Sequence, residues 1–239
     1  MKKIRWVALV DTATLSRERY TGWPPPKAGI HMLRLELDRL KHKDVRQRRR
    51  AVRRLFELDN PAALTGFVSI LDDPDSWFQD KSVEAIRQWA GPENKTLVVS
   101  LAVHQSTSIR ILASEIAPRL GSSSLDILST LCLDDDQSVR RAAWRSRLSV
   151  DSGSIPVAIV DDDYHVRRMA INRSGDANLI EKSLKDSHVR VRDAALNRLI
   201  ALEIEIEGVD ALLSDNDLRH KVAEYCLPFL IKNEDQDTI

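Results

Sequence analysis

One short phrase recurs along the chain: an apolar residue, then arginine, then a small residue three positions on, with a polar residue, most often aspartate, four positions before the arginine. Asp136, Val139, Arg140 and Ala143 form one clean copy, and Asp163, Val166, Arg167 and Ala170 another. Weaker copies are Ser106, Ile109, Arg110 and Ala113, then His188, Val191, Arg192 and Ala195, with Asp215, Leu218 and Arg219 last. Upstream stand Asp44, Arg48 and Ala51, then Asp75, Phe78, Gln79 and Ser82. The anchors at 48, 79, 110, 140, 167, 192 and 219 are 31, 31, 30, 27, 25 and 27 residues apart, a period too regular for chance.

Each part of the phrase has a physical role. The aspartate reads as a helix N-cap, accepting bonds from orphan N–H groups and complementing the positive helix end. The apolar and small residues, four apart, share one face of that helix, and the small one admits a neighbouring helix closely. Shorter apolar segments precede the anchors at 62–71, 96–103, 125–133, 155–160, 179–184 and 209–213, several opened by proline (Asn60-Pro61, Gly91-Pro92, Ile155-Pro156). They read as first helices of two-helix repeats, shortening toward the C-terminus as the period contracts.

Of 239 residues, 43% are hydrophobic and only 5% aromatic, with eight glycines, a mixture that suits helices. The expectation is an all-α chain, an α-solenoid of about seven two-helix repeats over residues 30–232. An N-terminal arm or cap over 1–29 holds Trp6, Trp23 and the non-helical Pro24-Pro25-Pro26, and an acidic C-terminal tail follows over 233–239.

The phrase resembles the HEAT-repeat family, particularly its short-repeat branch first recognised in phycobilisome-linked bilin lyases. In that branch an aspartate six residues before the arginine forms a ladder with arginines of adjacent repeats. The resemblance puts Asp73, Asp134, Asp161 and Asp186 in that place, with Arg140, Arg167 and Arg192 as matching arginines and Gln79 opposite the first. Repeats 1, 3 and 7 lack the aspartate, which implies a weaker ladder there. A HEAT-like fold specifies little about function.

Several classes are excluded or disfavoured. The longest apolar runs fall far short of a membrane span, and Lys2, Lys3 and Arg5 precede too short an apolar run for a secretory signal, so a cytoplasmic protein without membrane partner is expected. Cys132 and Cys226, flanked by leucines, read as buried thiols. No His or Cys pair has metal-ligand spacing, and the acidic turns at 72–75, 134–136 and 161–163 lack the glycine and closing glutamate of an EF-hand, so neither metal nor cofactor is expected. Among HEAT-like proteins with attached chemistry, deoxyhypusine hydroxylases carry His-Glu pairs, and no histidine here is followed by glutamate. HEAT-like alkylpurine DNA glycosylases use Trp and Asp; Trp77, Trp89 and Trp144 match by residue type alone, with core packing the simpler role.

Two features remain for function. The first is a basic run, Arg39, Lys41, Lys43, Arg46, Arg48, Arg49, Arg50, Arg53 and Arg54, in a first quarter where residues 1–60 carry +9 against −9 for the rest. Clustered guanidiniums suit phosphates or an acidic protein surface, while Asp72, Asp73, Asp75, Asp80 and Glu84 of the next repeat could instead neutralise them. The second is the pair one and five positions after each anchor: Arg49/Arg53, Asp80/Glu84, Ile111/Glu115, Arg141/Arg145, Arg168/Asn172, Asp193/Asn197 and His220/Glu224. Thirteen of these fourteen are polar and their signs alternate, which favours a mixed-charge protein partner over bare nucleic acid. The leading expectation is a non-enzymatic scaffold binding a protein through this stripe and the basic end. One alternative is nucleic-acid association through residues 39–54; another, implied by the resemblance, is a bilin lyase-like, chromophore-handling protein.

Overall fold

The structure, a computed structural model, describes residues 26–204 and 212–225. Trp6, Trp23, Cys226, the arm up to residue 25 and the tail 233–239 lie outside them. Among the described residues every regular element is helical. The chain divides into two compact units, Met1–Ala90 and Gly91–Ile239.

The first unit holds two repeats. Pro26–Arg39 pairs with Val45–Leu58, and Leu64–Val68, entered through a 3-10 turn at Pro61–Ala63, pairs with Ser76–Trp89. The first of these helices begins inside the stretch read as arm; proline suits a first helical position because its missing N–H has no partner to lose there. The two second helices, Val45–Leu58 and Ser76–Trp89, also touch. Gly66 lets the first helices approach closely: a Cβ there would run into the side chains of Leu37 and Leu40. Leu33, Leu40, Val52, Leu55, Phe67, Phe78 and Trp89 fill the core.

The second unit continues with Lys95–Ala102 and Thr107–Ile116, Ser124–Leu131 and Gln137–Val150, Ile155–Ala158 and Tyr164–Ile171, Ala177–Ser183 and Val189–Ala201, then helical residues 219–225. Its second helices pack in series, Thr107–Ile116 on Gln137–Val150, that on Tyr164–Ile171, and that on Val189–Ala201. Each unit is therefore built by solenoid-type stacking of helical pairs.

The recurring phrase is the packing code. Phe78, Ile109, Val139, Val166, Val191 and Leu218 are at most 7% exposed, and Ala51, Ala113, Ala143, Ala170, Ala195 and Ser82 are fully buried. Burial of each large apolar side chain contributes roughly 1.5–3 kcal/mol. Ser82 keeps its hydroxyl satisfied by donating to the Phe67 carbonyl at 2.7 Å. Asp44, Asp75, Asp136 and Asp163 cap their helices through side-chain bonds to N–H groups two residues on, and His188 does the same with Nδ1. Ser106 makes no such bond.

The first helices do not shorten steadily toward the C-terminus. From Leu64–Val68 onward they run 5, 8, 8, 4 and 7 residues, and four are preceded by 3-10 turns. Ile155–Ala158 is shortest because Asp151 and Ser154 spend the preceding residues on a capped 3-10 turn. The segment at 209–213 lies mostly outside the described residues.

Candidate functional site

The second helices carry two layers of charge, and one is structural. Arg110 forks onto Asp134 with Nε at 2.7 Å and Nη2 at 2.9 Å, while its Nη1 donates to the carbonyls of His104 and Gln105 in its own turn. Arg167 repeats the pattern on Asp186 and on the carbonyls of Asp161 and Asp162. Arg192 does so on Asp215 and Asp217, and Arg48 pairs with Asp73. Each arginine thus ties its own turn to the aspartate of the following repeat.

This corrects the ladder expected from sequence. Arg48 and Arg110, in repeats whose own ladder position is His42 or His104, still hold carboxylates, because the partner comes from the next repeat. Among the described residues Arg140 binds the carbonyls of Asp134 and Asp135 in its own turn and no carboxylate, and its neighbour Arg141 takes over, forking onto Asp163. Asp161 accepts the backbone N–H of Asp163. Gln79 folds back onto the Asp73 carbonyl.

The rungs shift titration. The Arg110 guanidinium holds Asp134 below the ordinary carboxylate value. Burial works to raise Asp163, yet Arg141 and the His165 N–H bring it down to about 2. Asp186, also opposed by burial, is lowered by Arg167 and the His188 N–H. The carboxylates of Asp73, Asp75, Asp134, Asp136, Asp161 and Asp163 are thereby spent on capping and pairing. No group of three or more metal-ligating side chains converges among the described residues.

The basic run splits in two. Arg39 pairs with Glu36 at 2.5 Å, Arg49 with Asp75 at 2.9 Å and Arg54 with Glu57 at 2.6 Å. Lys41, Lys43, Arg46, Arg50 and Arg53 are exposed, and none forms an ion pair among the described residues. Asp80 is exposed, and Glu84 pairs with Lys81 at 2.5 Å.

The fourteen stripe positions also divide. At the first position of each pair Arg49, Ile111, Arg141, Arg168 and Asp193 are half-buried; at the second Arg53, Glu84, Glu115, Arg145, Asn172, Asn197 and Glu224 are exposed, as are Asp80 and His220. Arg49 and Arg141 belong to inter-repeat ion pairs, and Asp193 holds Lys221 and Asn197. In the outer row Arg53 and Arg145 form no ion pair among the described residues.

In the first unit the stripe borders a depression of about 420 Å³ between Val45–Leu58 and Ser76–Trp89, lined by Val52, Arg53, Phe56, Glu57, Trp77, Lys81, Glu84 and Gln88. Phe56 stacks on Trp89 and meets Phe67, with centroids 5.2 and 5.0 Å apart. Trp77 stands edge-on to Phe78, with the Arg49 guanidinium 5.3 Å above it. Trp89 and Trp144 are buried; Trp77 and Phe56 are half-buried and reach the surface. Arg53, Glu84 and Trp77 carried sequence signals. Val52, Phe56, Glu57, Lys81 and Gln88 did not, although five of the nine Trp and Phe residues fall between 56 and 89, a concentration that marks the place.

No protein-family model matches the sequence, and no curated protein does. Among solved structures, YibA of E. coli is similar at 18% identity with a TM-score of 0.50, over 70% of this chain and 73% of its own. A designed armadillo repeat protein in complex with the peptide (KR)4 is 18% identical with a TM-score of 0.42, over 71% and 99%. The CpcE–CpcF complex of phycocyanin lyase from Nostoc sp. PCC7120 is 16% identical with a TM-score of 0.37, over 88% of each chain. The first of these likenesses agrees with the stacked helical pairs and their buried Val-Arg-x-x-Ala phrase: the fold is all-α, of α-solenoid type.

Proposed function

We propose that the chain is a non-enzymatic scaffold that binds a partner protein through the outer row of its second helices, centred in the first unit on the depression at Phe56 and Trp77. The observation that carries this reading is the composition of that depression. Two half-buried aromatic side chains, Phe56 and Trp77, line it between Arg53 and Lys81 on one hand and Glu57 and Glu84 on the other. Aromatic anchors ringed by polar groups are the pattern of binding hot spots, and a rim of both signs selects a segment of mixed charge.

The test is charge reversal confined to residues without framework duty. Arg53→Glu, and separately Arg145→Glu, should abolish or strongly reduce co-purification of the native partner while leaving the melting temperature unchanged. Unchanged capture by both proteins rejects the stripe as the binding face. Arg49 and Arg141 are unsuitable because their loss breaks inter-repeat ion pairs.

A second reading, phosphate contact, draws support from the exposure of Lys43, Arg46 and Arg50 without ion pairs. It requires a gel shift with DNA or RNA that weakens steeply with salt.

A further inference from the structure

A separate surface lies on the turn edge of the second unit. Val103, Leu133 and Val160 each stand seven positions before an anchor arginine, in the turn between the two helices of repeats 3, 4 and 5. They are 74%, 84% and 75% exposed, the three highest values among the exposed large hydrophobic residues described. Val99 and Val157, on the helices that lead into two of these turns, add 44% and 57%.

The fold does not ask for an apolar residue there. The same position is Asp72 in repeat 2 and Lys185 in repeat 6, both exposed, and the neighbouring turns close with the same backbone bonds: Asp73 N–H to the Ile70 carbonyl, Asp134 to Leu131, Asp161 to Ala158 and Asp186 to Ser183. Because the second helices of repeats 3, 4 and 5 pack in series, equivalent residues are carried along one edge at the helix-packing interval of about 8–10 Å. Exposed aliphatic residues repeated along one edge mark a contact where scattered ones would not.

Charge selects the occupant. Two positions beyond Leu133 and Val160 stand Asp135 and Asp162, exposed and without an ion pair among the described residues; only their backbone carbonyls are engaged, by Arg140 and Arg167. A second copy of the chain would lay these carboxylates against their own kind. We infer that the row formed by Val103, Leu133 and Val160 docks an amphipathic helix of a partner protein that carries aliphatic residues on one face and lysine or arginine beside them. In such a helix residues seven apart repeat every ~10.5 Å, close to the interval of about 8–10 Å between packed helices. This surface is distinct from the second-helix stripe, and its use does not depend on it.

The test uses the full chain and a dye-labelled synthetic helical peptide of about 20 residues, with leucine on one face and lysine flanking it. Two control peptides replace the leucines by serine or the lysines by glutamate. Fluorescence anisotropy should show binding of the first peptide and not of the controls. Leu133→Ser with Val160→Ser, or Asp135→Asn with Asp162→Asn, should weaken it by about tenfold or more. Arg145→Glu on the stripe should leave it unchanged, and circular dichroism melts should coincide for all proteins because the replaced side chains are exposed. Absence of binding, equal binding to the turn-edge variants, or loss only with Arg145→Glu would overturn the inference. So would dimerisation of the protein alone that the serine variant abolishes, which would assign the row to a second copy.

Discussion

Arg110 reaches from the second helix of repeat 3 to Asp134, 24 positions on, and grips both carboxylate oxygens while its third nitrogen closes its own turn. One guanidinium thereby joins two repeats and satisfies carbonyls that the turn leaves open. Such planar, charge-assisted forks give geometry as well as energy. The phrase that buries Ile109 and Ala113 therefore also places the residue that fixes how the next repeat stacks.

Rungs of this kind are unequal. Asp186→Ala removes the partner of Arg167 and the acceptor of the His188 N–H, and should cost about 2 kcal/mol in denaturant unfolding. Asp161→Ala removes one backbone acceptor and should cost less than half as much. Equal losses would refute the forward pairing.

Arg141 and Arg145 sit one turn apart with different duties. Arg141→Glu sets a carboxylate against Asp163 and should lower the melting temperature by several degrees, whereas Arg145→Glu should leave it within about 1 °C. Calorimetry of the two proteins checks the contrast.

Acid should act through the rungs. Asp134, Asp163, Asp186 and Asp215 all have folded-state pKa values below their ordinary 3.8, with Asp163 near 2. Such groups contribute stability in full above the unfolded value and lose it as pH falls through the folded one. The melting temperature should be insensitive to these carboxylates above about pH 5 and fall between about pH 4 and 2, and Asp163→Asn should flatten part of that fall.

Gly66 offers a test of packing against propensity. Alanine would favour the helix by up to about 1 kcal/mol, yet its Cβ would collide with Leu37 and Leu40, and overpacking costs about 1–3 kcal/mol. Gly66→Ala should therefore unfold at lower denaturant; a gain would mean that the two first helices pack less closely.

The second helices were legible in the sequence because their signals are local. An aspartate cap, an apolar residue and a small residue four apart are enough to place Gln137–Val150 and Tyr164–Ile171. The first helices were less so, since 3-10 turns at Pro61, Pro92, Ala117 and Ser152 consume residues that an apolar pattern alone assigns to a helix. The membership of the ladder was hidden because which carboxylate of the adjacent repeat meets Arg48 or Arg110 depends on stacking. Arg141 replaces Arg140 at its rung for the same reason. The depression was hidden because Phe56 and Gln88 face each other across two helices and share no spacing that marks them in the sequence.

A partner protein seated in the depression at Phe56 and Trp77 would lie within crosslinking reach of its wall. A photo-crosslinking amino acid installed at Gln88, on its wall, and separately at Thr65, exposed on a first helix of the same unit, measures this in the native cell. One protein adduct is expected from Gln88, diminished by Arg53→Glu, and none from Thr65. Adducts from Thr65 alone, or the same adduct in equal yield from both positions, would contradict it.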